Sequence, residues 1–212
     1  MAAKRILRYL KGTLHHGVHF QPGHLALSAY CDADWAGDPL DRRSITGMLV
    51  FLGNSPITWS TKKQLIVARS STEAEYRALA STVAELCWIR MILKDLGVYL
   101  SLPPMLWCDN VSALALASNP IFHARTKHIE VDYHYIMEKV LNRDLQINFI
   151  STHDQLADIF TKGLSSPQFL DLAYKRMGLP PLSLRGDVKA GDITSDKAEA
   201  YDKAKGKRPV VE

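Results

Sequence analysis

Around residue 70 the hydrophobic pattern of this chain changes from a two-residue period to a helical period, and this change limits the folds open to it. Before it, three segments have the alternation or the short apolar run of β-strands: Leu25–Cys31, Ile45–Leu52 and Ile57–Ser60. After it, Glu73–Leu96 repeats apolar residues at helical spacing and is followed by Gly97. The pattern therefore predicts three consecutive antiparallel strands and then a long helix.

Strands and helices alternate in the rest of the sequence. A short apolar strand, Met105–Cys108, leads into a helix of small residues that ends near Ala117. The remaining segments are predicted as a helix at about Thr126–Leu141, a strand at Leu145–Ser151, a helix at Gln155–Thr161 and a short final helix at Ser165–Met177. The order βββαβααβα is typical of an α/β fold rather than of segregated layers.

The composition favours one globular domain with extensions, since 47% of the 212 residues are hydrophobic and 23% are charged. No apolar run approaches the roughly 18 residues of a membrane span, and the first residues lack the apolar block of a signal peptide. We therefore expect a soluble intracellular protein, cytoplasmic or nuclear, that is not secreted and has no membrane partner. The three cysteines, Cys31, Cys87 and Cys108, are widely spaced, which argues against a disulfide framework.

The charges are unevenly distributed along the chain, which has a net charge of +4 and no acidic residue before Asp32. The basic N-terminal stretch is compatible with a polyanionic partner, and equally with a solvated helix face. Beyond Pro180 the sequence has almost no large apolar residues. Residues 181–212 are therefore predicted to be a disordered tail.

Four acidic residues lie where predicted strands end or predicted helices begin. Asp32 and Asp109 lie at the ends of the first and fourth strands. Glu75 lies in the first turn of the long helix, and Asp158 lies near the start of a later one. If the first and fourth strands are neighbours and the long helix crosses them, these carboxylates converge. Converging carboxylates without basic partners repel each other by several kcal/mol, so we expect cations to neutralise them.

Oxygen ligands of this kind favour Mg²⁺ or Mn²⁺, and two such ions about 4 Å apart can promote phosphodiester cleavage. Each acid also has a purely structural interpretation. Asp32 and Asp109 are compatible with turn formation. Glu75 fits a capping box with Thr72, and Asp158 fits an exposed first-turn position. The residue pattern alone leaves both interpretations open.

Six short blocks of the sequence resemble one protein family. They are YCDADWAGD (30–38), RRSITG (42–47), SSTEAEY (70–76), LWCDN (106–110), HARTKHIE (123–130) and THDQLADIFTK (152–162). In residue type and order they are similar to the ribonuclease H domain of the Pol polyprotein of plant copia-type retrotransposons. The resemblance covers roughly Ala2–Leu164.

The resemblance implies an α/β, ribonuclease H-like fold. Its five-stranded mixed sheet would have the strand order 3-2-1-4-5, with helices on both faces. The ribonuclease H domain would span residues 25–165, preceded over 1–24 by a remnant of the linker that follows reverse transcriptase, and followed over 166–180 by a short terminal helix. We expect the chain to be a truncated piece of a longer element.

The resemblance also implies an endoribonuclease that cleaves the RNA strand of RNA–DNA hybrids during retrotransposon reverse transcription. Two Mg²⁺ ions, with Mn²⁺ as the alternative, would be its cofactors, and no small-molecule cofactor is expected. The catalytic acids and metal ligands by resemblance are Asp32, Glu75, Asp109 and Asp158. Asp34 competes with Asp32 for the first position, whereas Glu75 matches the helical acid better than Glu73 because it directly precedes Tyr76.

Further residues are matched to the substrate. His153 resembles the mobile catalytic histidine that precedes the last acid in the family, and capping together with Thr152 is the alternative. The nucleic-acid-binding residues by resemblance are Ser71, Thr72, Asn110, Lys62 and Arg69, although hairpin solubility also explains the two basic ones. The expected partners are an RNA–DNA hybrid and the reverse transcriptase region of the same polyprotein. The alternatives are a catalytically inactive, structural or hybrid-binding remnant and a nuclease that acts on DNA.

Overall fold

A computed structural model of the chain describes residues 2–12, 17–18, 20–118 and 129–176. The chain divides into two units, Met1–His15 with Leu182–Glu212 and His16–Pro181. In the first unit the described element is the basic helix α1, Ala2–Gly12. The predicted tail, 181–212, and most of the HARTKHIE block lie outside the described residues. The predicted domain boundaries remain predictions.

The second unit contains a five-stranded sheet in the order β3-β2-β1-β4-β5. The strands are β1 Leu27–Asp34, β2 Ile45–Leu52, β3 Ser55–Lys63, β4 Met105–Cys108 and β5 Gln146–Phe149. The first three strands pair antiparallel, whereas β4 pairs parallel with both β1 and β5. The predicted mixed sheet and its strand order are therefore confirmed.

Helices follow the third, fourth and fifth strands along the chain. They are α2 Ser71–Asp95, α3 Val111–Ser118, α4 Glu130–Leu141, α5 Asp158–Thr161 and α6 Ser166–Leu170. A 3-10 turn at Thr152–Asp154 precedes α5, and a π-helical segment at Asp171–Arg176 follows α6. None of the described helices combines the length and apolar composition that a membrane crossing requires.

The apolar core has one part on each face of the sheet. Val50 of β2 belongs to the larger part, which includes buried residues of α2, α3 and α4. Its neighbours Leu49 and Phe51 point to the other face, where they pack with Leu156 and Leu172. This alternation along β2 is the two-residue period of a strand buried on both sides. Helices thus cover both faces, as predicted.

Several elements differ from the predicted ones in their bounds. β3, predicted at Ile57–Ser60, spans Ser55–Lys63, and β5, predicted at Leu145–Ser151, spans Gln146–Phe149. β1 continues to Asp34 instead of ending at Cys31, because its ladder with β2 extends to the pair Asp34 and Ile45. The predicted helix at Gln155–Thr161 begins only at Asp158. Gln155 is fully buried and its side chain donates to the Cys31 carbonyl oxygen at 2.9 Å, which holds this segment in a non-helical conformation.

Candidate metal centre

The parallel pairing of β1 with β4 brings two acids together. Tyr30 lies opposite Trp107 in this ladder. Continuing the same register by two residues along each strand places Asp32 beside Asp109, just past the described end of the pairing. Asp32 is 1% exposed, whereas Asp109 is half-buried. The pairing predicted from the sequence therefore determines where the first two carboxylates lie.

The N-terminus of α2 supplies the third carboxylate. Ser70 caps the helix by accepting a hydrogen bond from the Glu73 backbone N–H. The Glu73 carboxylate accepts from the Arg69 backbone N–H just before the helix and pairs with Arg77 at 2.9 Å, so both of its oxygens have partners outside the acid group. Glu75 is buried, and one of its oxygens lies within 4.8 Å of ligand atoms of Cys108 and Asp109.

The fourth carboxylate belongs to Asp158, the first residue of α5, which packs against β2 at Gly47. A Cβ atom on Gly47 would lie 3.0 Å from the Ala157 carbonyl oxygen and 2.7 Å from Thr161 Cγ2. Gly47 is also the partner of Asp32 in the β1–β2 ladder. Only a glycine allows α5 to approach this closely, so it brings Asp158 over the strand that carries Asp32.

One oxygen each of Asp32, Asp109 and Asp158 lies within 4.8 Å of the others. Glu75 joins this set through Asp109. We call these four residues the acid cluster. Three carboxylate oxygens meet in the group of Asp32, Asp109 and Asp158, and two carboxylate oxygens meet the Cys108 sulfur in the group that contains Glu75. The carboxylate oxygens of both groups can hold divalent cations that prefer oxygen ligands.

Two carboxyl groups of the acid cluster, those of Glu75 and Asp158, have a raised pKa. Burial, together with the charges of Asp32, Cys108 and Asp109, raises the pKa of Glu75 to about 9. Burial also raises the pKa of Asp158 to about 6, although its hydrogen bond with Lys162 acts in the opposite direction. The fully charged acid cluster therefore requires compensating positive charge at neutral pH.

A lysine supplies part of that charge, contrary to the expectation that the acids lack basic partners. Lys162 Nζ lies 3.2 Å from Asp32 Oδ1 and 2.7 Å from Asp158 Oδ1. Two hydroxyls contribute hydrogen bonds: Thr161 donates to Asp32 Oδ2, and Thr152 donates to Asp109 Oδ2 at 2.9 Å.

Similarity to known proteins assigns the chain to a family. The chain is 53% identical over 175 residues to the retrovirus-related Pol polyprotein from transposon RE1 of Arabidopsis thaliana, covering 82% of this chain and 12% of that protein. It is 42% identical over 178 residues to the Pol polyprotein from transposon TNT 1-94 of Nicotiana tabacum, covering 84% of this chain and 13% of that protein. The chain belongs to the retrotransposon Pol polyprotein family. It spans about an eighth of the length of these relatives.

No protein-family model matches this Pol segment. Among solved structures, it is similar to LC11-RNase H1 in complex with an RNA/DNA hybrid, with a TM-score of 0.48 and 13% identity over 63% of this chain and 92% of that one. It is also similar to RNase H1 from Halobacterium salinarum, with a TM-score of 0.43 and 15% identity over 69% of this chain and 98% of that one. At these identities neither similarity assigns a function to the Pol segment.

The structure distinguishes between the alternative acids of the Pol segment. Asp32 lies in the acid cluster, whereas Asp34 does not contribute to either group of candidate ligands among the described residues. The α2 cap uses Ser70 and Glu73, so the predicted capping box of Glu75 with Thr72 is wrong. Asp158 is 5% exposed, so its interpretation as an exposed first-turn acid is also wrong.

The residues matched to nucleic acid lie around the acid cluster in different settings. Ser71 and Thr72 are the first two residues of α2, one exposed and one half-buried. Asn110 follows Asp109, and its side-chain oxygen accepts a hydrogen bond from the Ala113 backbone N–H at the start of α3. Asn110 thus has a structural role in capping as well as its predicted one.

Two basic residues and one histidine lie on the surface. Lys62 is exposed near the end of β3, and Arg69 is exposed in the loop before α2. The His153 side chain is 80% exposed, and its Nδ1 lies 3.3 Å from Asp154 Oδ1. Capping of a helix by His153 and Thr152 is not observed, since the Thr152 hydroxyl donates to Asp109. The exposed position leaves His153 accessible to a substrate.

Sequence reasoning missed the residues that hold the acids in place. Thr152, Gln155, Thr161 and Lys162 all lie in the THDQLADIFTK block, and Gly47 ends the RRSITG block. One contact could have been predicted from spacing: Lys162 follows Asp158 by four residues, so the two side chains would share one face of a helix. The contacts to Asp32 join residues more than a hundred positions apart and are not visible in any local pattern.

Proposed function

We propose that this Pol segment is a ribonuclease H that cleaves the RNA strand of RNA–DNA hybrids during retrotransposon reverse transcription, using two divalent metal ions. The observation that carries the proposal is the acid cluster, in which oxygens of Asp32, Asp109 and Asp158 approach within 4.8 Å and Glu75 adjoins them. Membership of the Pol family supports the biological setting.

The donor set fits Mg²⁺ or Mn²⁺. The four residues of the acid cluster offer carboxylate oxygens, which these hard cations prefer, whereas the neighbouring Cys108 thiol is a soft ligand that suits other metals. Glu75 Oε2 is buried without a hydrogen-bond partner among the described residues, and such an atom is costly unless something binds it. Asp32, Glu75, Asp109 and Asp158 would hold the ions. Bound magnesium would supply activation of a water and stabilisation of the leaving oxygen.

The residues of the chain would orient these ligands and the substrate. The Thr161 and Thr152 hydroxyls fix the carboxylates of Asp32 and Asp109 by donating to them. Hydrogen bonds that fix the orientation of metal ligands increase the affinity of a site for its metal. His153 is exposed at the edge of the acid cluster, on the turn that begins with Thr152, and there it can move a proton to or from the reacting groups.

Recognition of the RNA strand is assigned to the start of α2. Ser71 precedes Glu75 by four residues and Thr72 precedes it by three, so both lie on the face of α2 that carries the acid. Their hydroxyls are suited to hydrogen bonds with 2′-hydroxyl groups, which only the RNA strand presents. The same short helical turn would thus recognise RNA and place it at the metal ligands.

The decisive experiment compares the purified chain with Asp109→Asn on a labelled RNA–DNA hybrid, in Mg²⁺, Mn²⁺ or chelator. The substitution removes a ligand but keeps the size of the side chain. We expect a rate loss on the order of 100-fold or more, as when one electrostatic contribution to a transition state is lost. Asp95→Asn, at the exposed C-terminal end of α2, is the matched control and should cleave like the unchanged chain.

The other outcomes separate the alternatives. Equal cleavage by the unchanged chain and Asp109→Asn would remove the mechanism. Duplex DNA and single strands are tested in parallel, and equal cleavage of duplex DNA would indicate a general nuclease instead. Binding of the hybrid without any cleavage would indicate an inactive, hybrid-binding remnant.

A further inference from the structure

Among the described residues, Lys162 is the cation that contacts the acid cluster, and it contacts oxygens that a metal ion would need. Its Nζ lies 3.2 Å from Asp32 Oδ1 and 2.7 Å from Asp158 Oδ1. Both carboxylates are buried, at 1% and 5% exposure, so water screens these contacts little. The lysine therefore has a strong interaction with two buried charges rather than a weak one at the surface.

The position of Lys162 follows from the geometry of α5. Asp158 is the first residue of this short helix, and Lys162 is the residue that ends it, four positions later. This spacing brings the ammonium back over the Asp158 carboxylate, while the packing of α5 on Gly47 brings both over Asp32. The same contacts that assemble the acid cluster thus insert a positive charge into it.

An ammonium and a divalent ion cannot both occupy this space without cost. Mg²⁺ binds carboxylate oxygens at about 2.1 Å, closer than the 2.7 Å from Lys162 Nζ to Asp158 Oδ1. Two cations that share the same pair of buried carboxylates repel each other at a distance of a few ångströms. The Lys162 side chain is 37% exposed, so it has a route from the carboxylates to solvent.

We propose that Lys162 is the internal counter-ion of the metal-free acid cluster, and that a divalent cation displaces its ammonium from Asp32 and Asp158. This inference rests on the proposed function in one respect, that Asp32 and Asp158 are metal ligands. It assigns Lys162 a positioning role, which is to keep the carboxylates together before metal binds. The cost of that role is a weaker affinity for the metal.

The test measures Mn²⁺ binding to the full chain by titration calorimetry, without nucleic acid. Lys162→Met keeps the length of the side chain and removes its charge. We expect its dissociation constant for Mn²⁺ to fall about tenfold or more, because the metal no longer competes with an ammonium. Lys162→Arg keeps the charge and should remain within about threefold of the unchanged chain.

The matched control is Lys63→Met. Lys63 also bridges two aspartates, Asp38 and Asp41, but lies outside the acid cluster. Its substitution removes a comparable ion pair and should leave the dissociation constant for Mn²⁺ unchanged. A change as large as that in Lys162→Met would show that any loss of positive charge strengthens binding, and the proposal would be overturned.

A second measurement covers the case in which Lys162→Met folds poorly. Urea unfolding in chelator should show a lower midpoint for this variant than for the unchanged chain, and saturating Mn²⁺ should remove most of the difference. If Lys162→Met folds only with Mn²⁺, the proposal is supported, because the metal then replaces the missing ammonium. A midpoint that stays equally low with and without Mn²⁺ would overturn it.

The failure of this inference can be told from the failure of the proposed function. Equal or weaker Mn²⁺ binding by Lys162→Met, with the unchanged chain still binding Mn²⁺, overturns the role of Lys162 alone. Tighter Mn²⁺ binding by Lys162→Met supports the role of Lys162 as counter-ion. If the unchanged chain nevertheless cleaves no hybrid, the proposed nuclease activity is contradicted. Absence of Mn²⁺ binding from both chains would contradict both.

Discussion

Glu75 carries a carboxyl group into a buried position beside other acids. Its Oε2 has no hydrogen-bond partner among the described residues, and burial with neighbouring charges raises its pKa to about 9. A bound metal ion would compensate for this unfavourable placement, whereas in the metal-free chain none of the described residues provides a positive charge for Glu75. Glu75 therefore favours metal binding but lowers the stability of the metal-free folded chain.

The raised pKa of Glu75 gives a prediction for the metal-free chain. Between its ordinary pKa of 4.5 and the folded value of about 9, the folded state holds a proton that the unfolded state releases. The free energy of unfolding should therefore fall as pH rises through this window, by up to about 1.4 kcal/mol per pH unit. Glu75→Gln should remove this contribution and be more stable than the unchanged chain at pH 8, by about 1–3 kcal/mol.

Urea unfolding in chelator at pH 6 and pH 8 measures the difference. Glu85→Gln, on the same helix and outside the acid cluster, controls for the loss of a glutamate. A Glu75→Gln chain that loses stability between pH 6 and pH 8 as steeply as the unchanged chain would contradict the assignment of the raised pKa to Glu75.

The sequence could predict some residues of the candidate site and not others. Asp109 directly follows a strand and Glu75 lies close to the start of a long helix, and local patterns identify both positions well. Lys162 has an ordinary local context, and its importance depends on a contact with Asp32. The acids could therefore be proposed from the sequence, whereas their counter-ion could not.

At the scale of elements, the packing of α5 on β2 determines whether the acid cluster closes. This contact leaves no space for a side chain at Gly47, where a Cβ atom would lie 3.0 Å from both the Ala157 carbonyl oxygen and Phe160 Cβ. Gly47→Ala should therefore push α5 away from the sheet, with a loss of about 1–3 kcal/mol in the free energy of unfolding. Because Asp158 moves with α5, Mn²⁺ binding should weaken as well.

Gly163→Ala is the matched control for Gly47→Ala. Gly163 lies just after α5, and a Cβ atom there would meet nothing within 4 Å. Urea unfolding and Mn²⁺ titration of both variants make the comparison. Equal behaviour of the two variants would contradict the close approach of α5 to β2.

The elements themselves divide into those that local pattern predicts and those that it does not. β2 and β4 have the predicted bounds, because a run of apolar residues between turns is a local signal. The helix predicted over Gln155–Thr161 is broken because Gln155 turns inward to the Cys31 carbonyl oxygen. A buried amide that bonds to a distant strand overrides the local helical preference.

In the molecule taken as a whole, the proposed function would place the hybrid at one end of the sheet. Lys62 pairs with Thr46 on β2, and Thr46 pairs with Ala33, the residue that follows Asp32 on β1. The exposed Lys62 therefore lies at the same end of the sheet as the acid cluster, two strands away. A cation at this distance can contact a phosphate of a hybrid whose cleaved bond lies at the acids.

Lys62→Gln should weaken binding of the hybrid and reduce the slope of log affinity against log salt by about 1, as expected for one lost phosphate contact. Fluorescence anisotropy at several salt concentrations, with Asp109→Asn present in each chain to prevent cleavage, gives both values. Lys94→Gln, near the far end of α2, should leave the slope unchanged. An unchanged slope for Lys62→Gln would assign Lys62 to solubility alone.

The same assay separates affinity from selectivity across the molecule. Phosphates are common to hybrids and to duplex DNA, so Lys62→Gln should weaken both by a similar factor. Ser71 is expected to contact 2′-hydroxyl groups, so Ser71→Ala should weaken binding of the hybrid and leave binding of duplex DNA nearly unchanged. If Ser71→Ala weakens both ligands equally, the start of α2 contacts the phosphate backbone, and selection of the RNA strand must come from another part of the molecule.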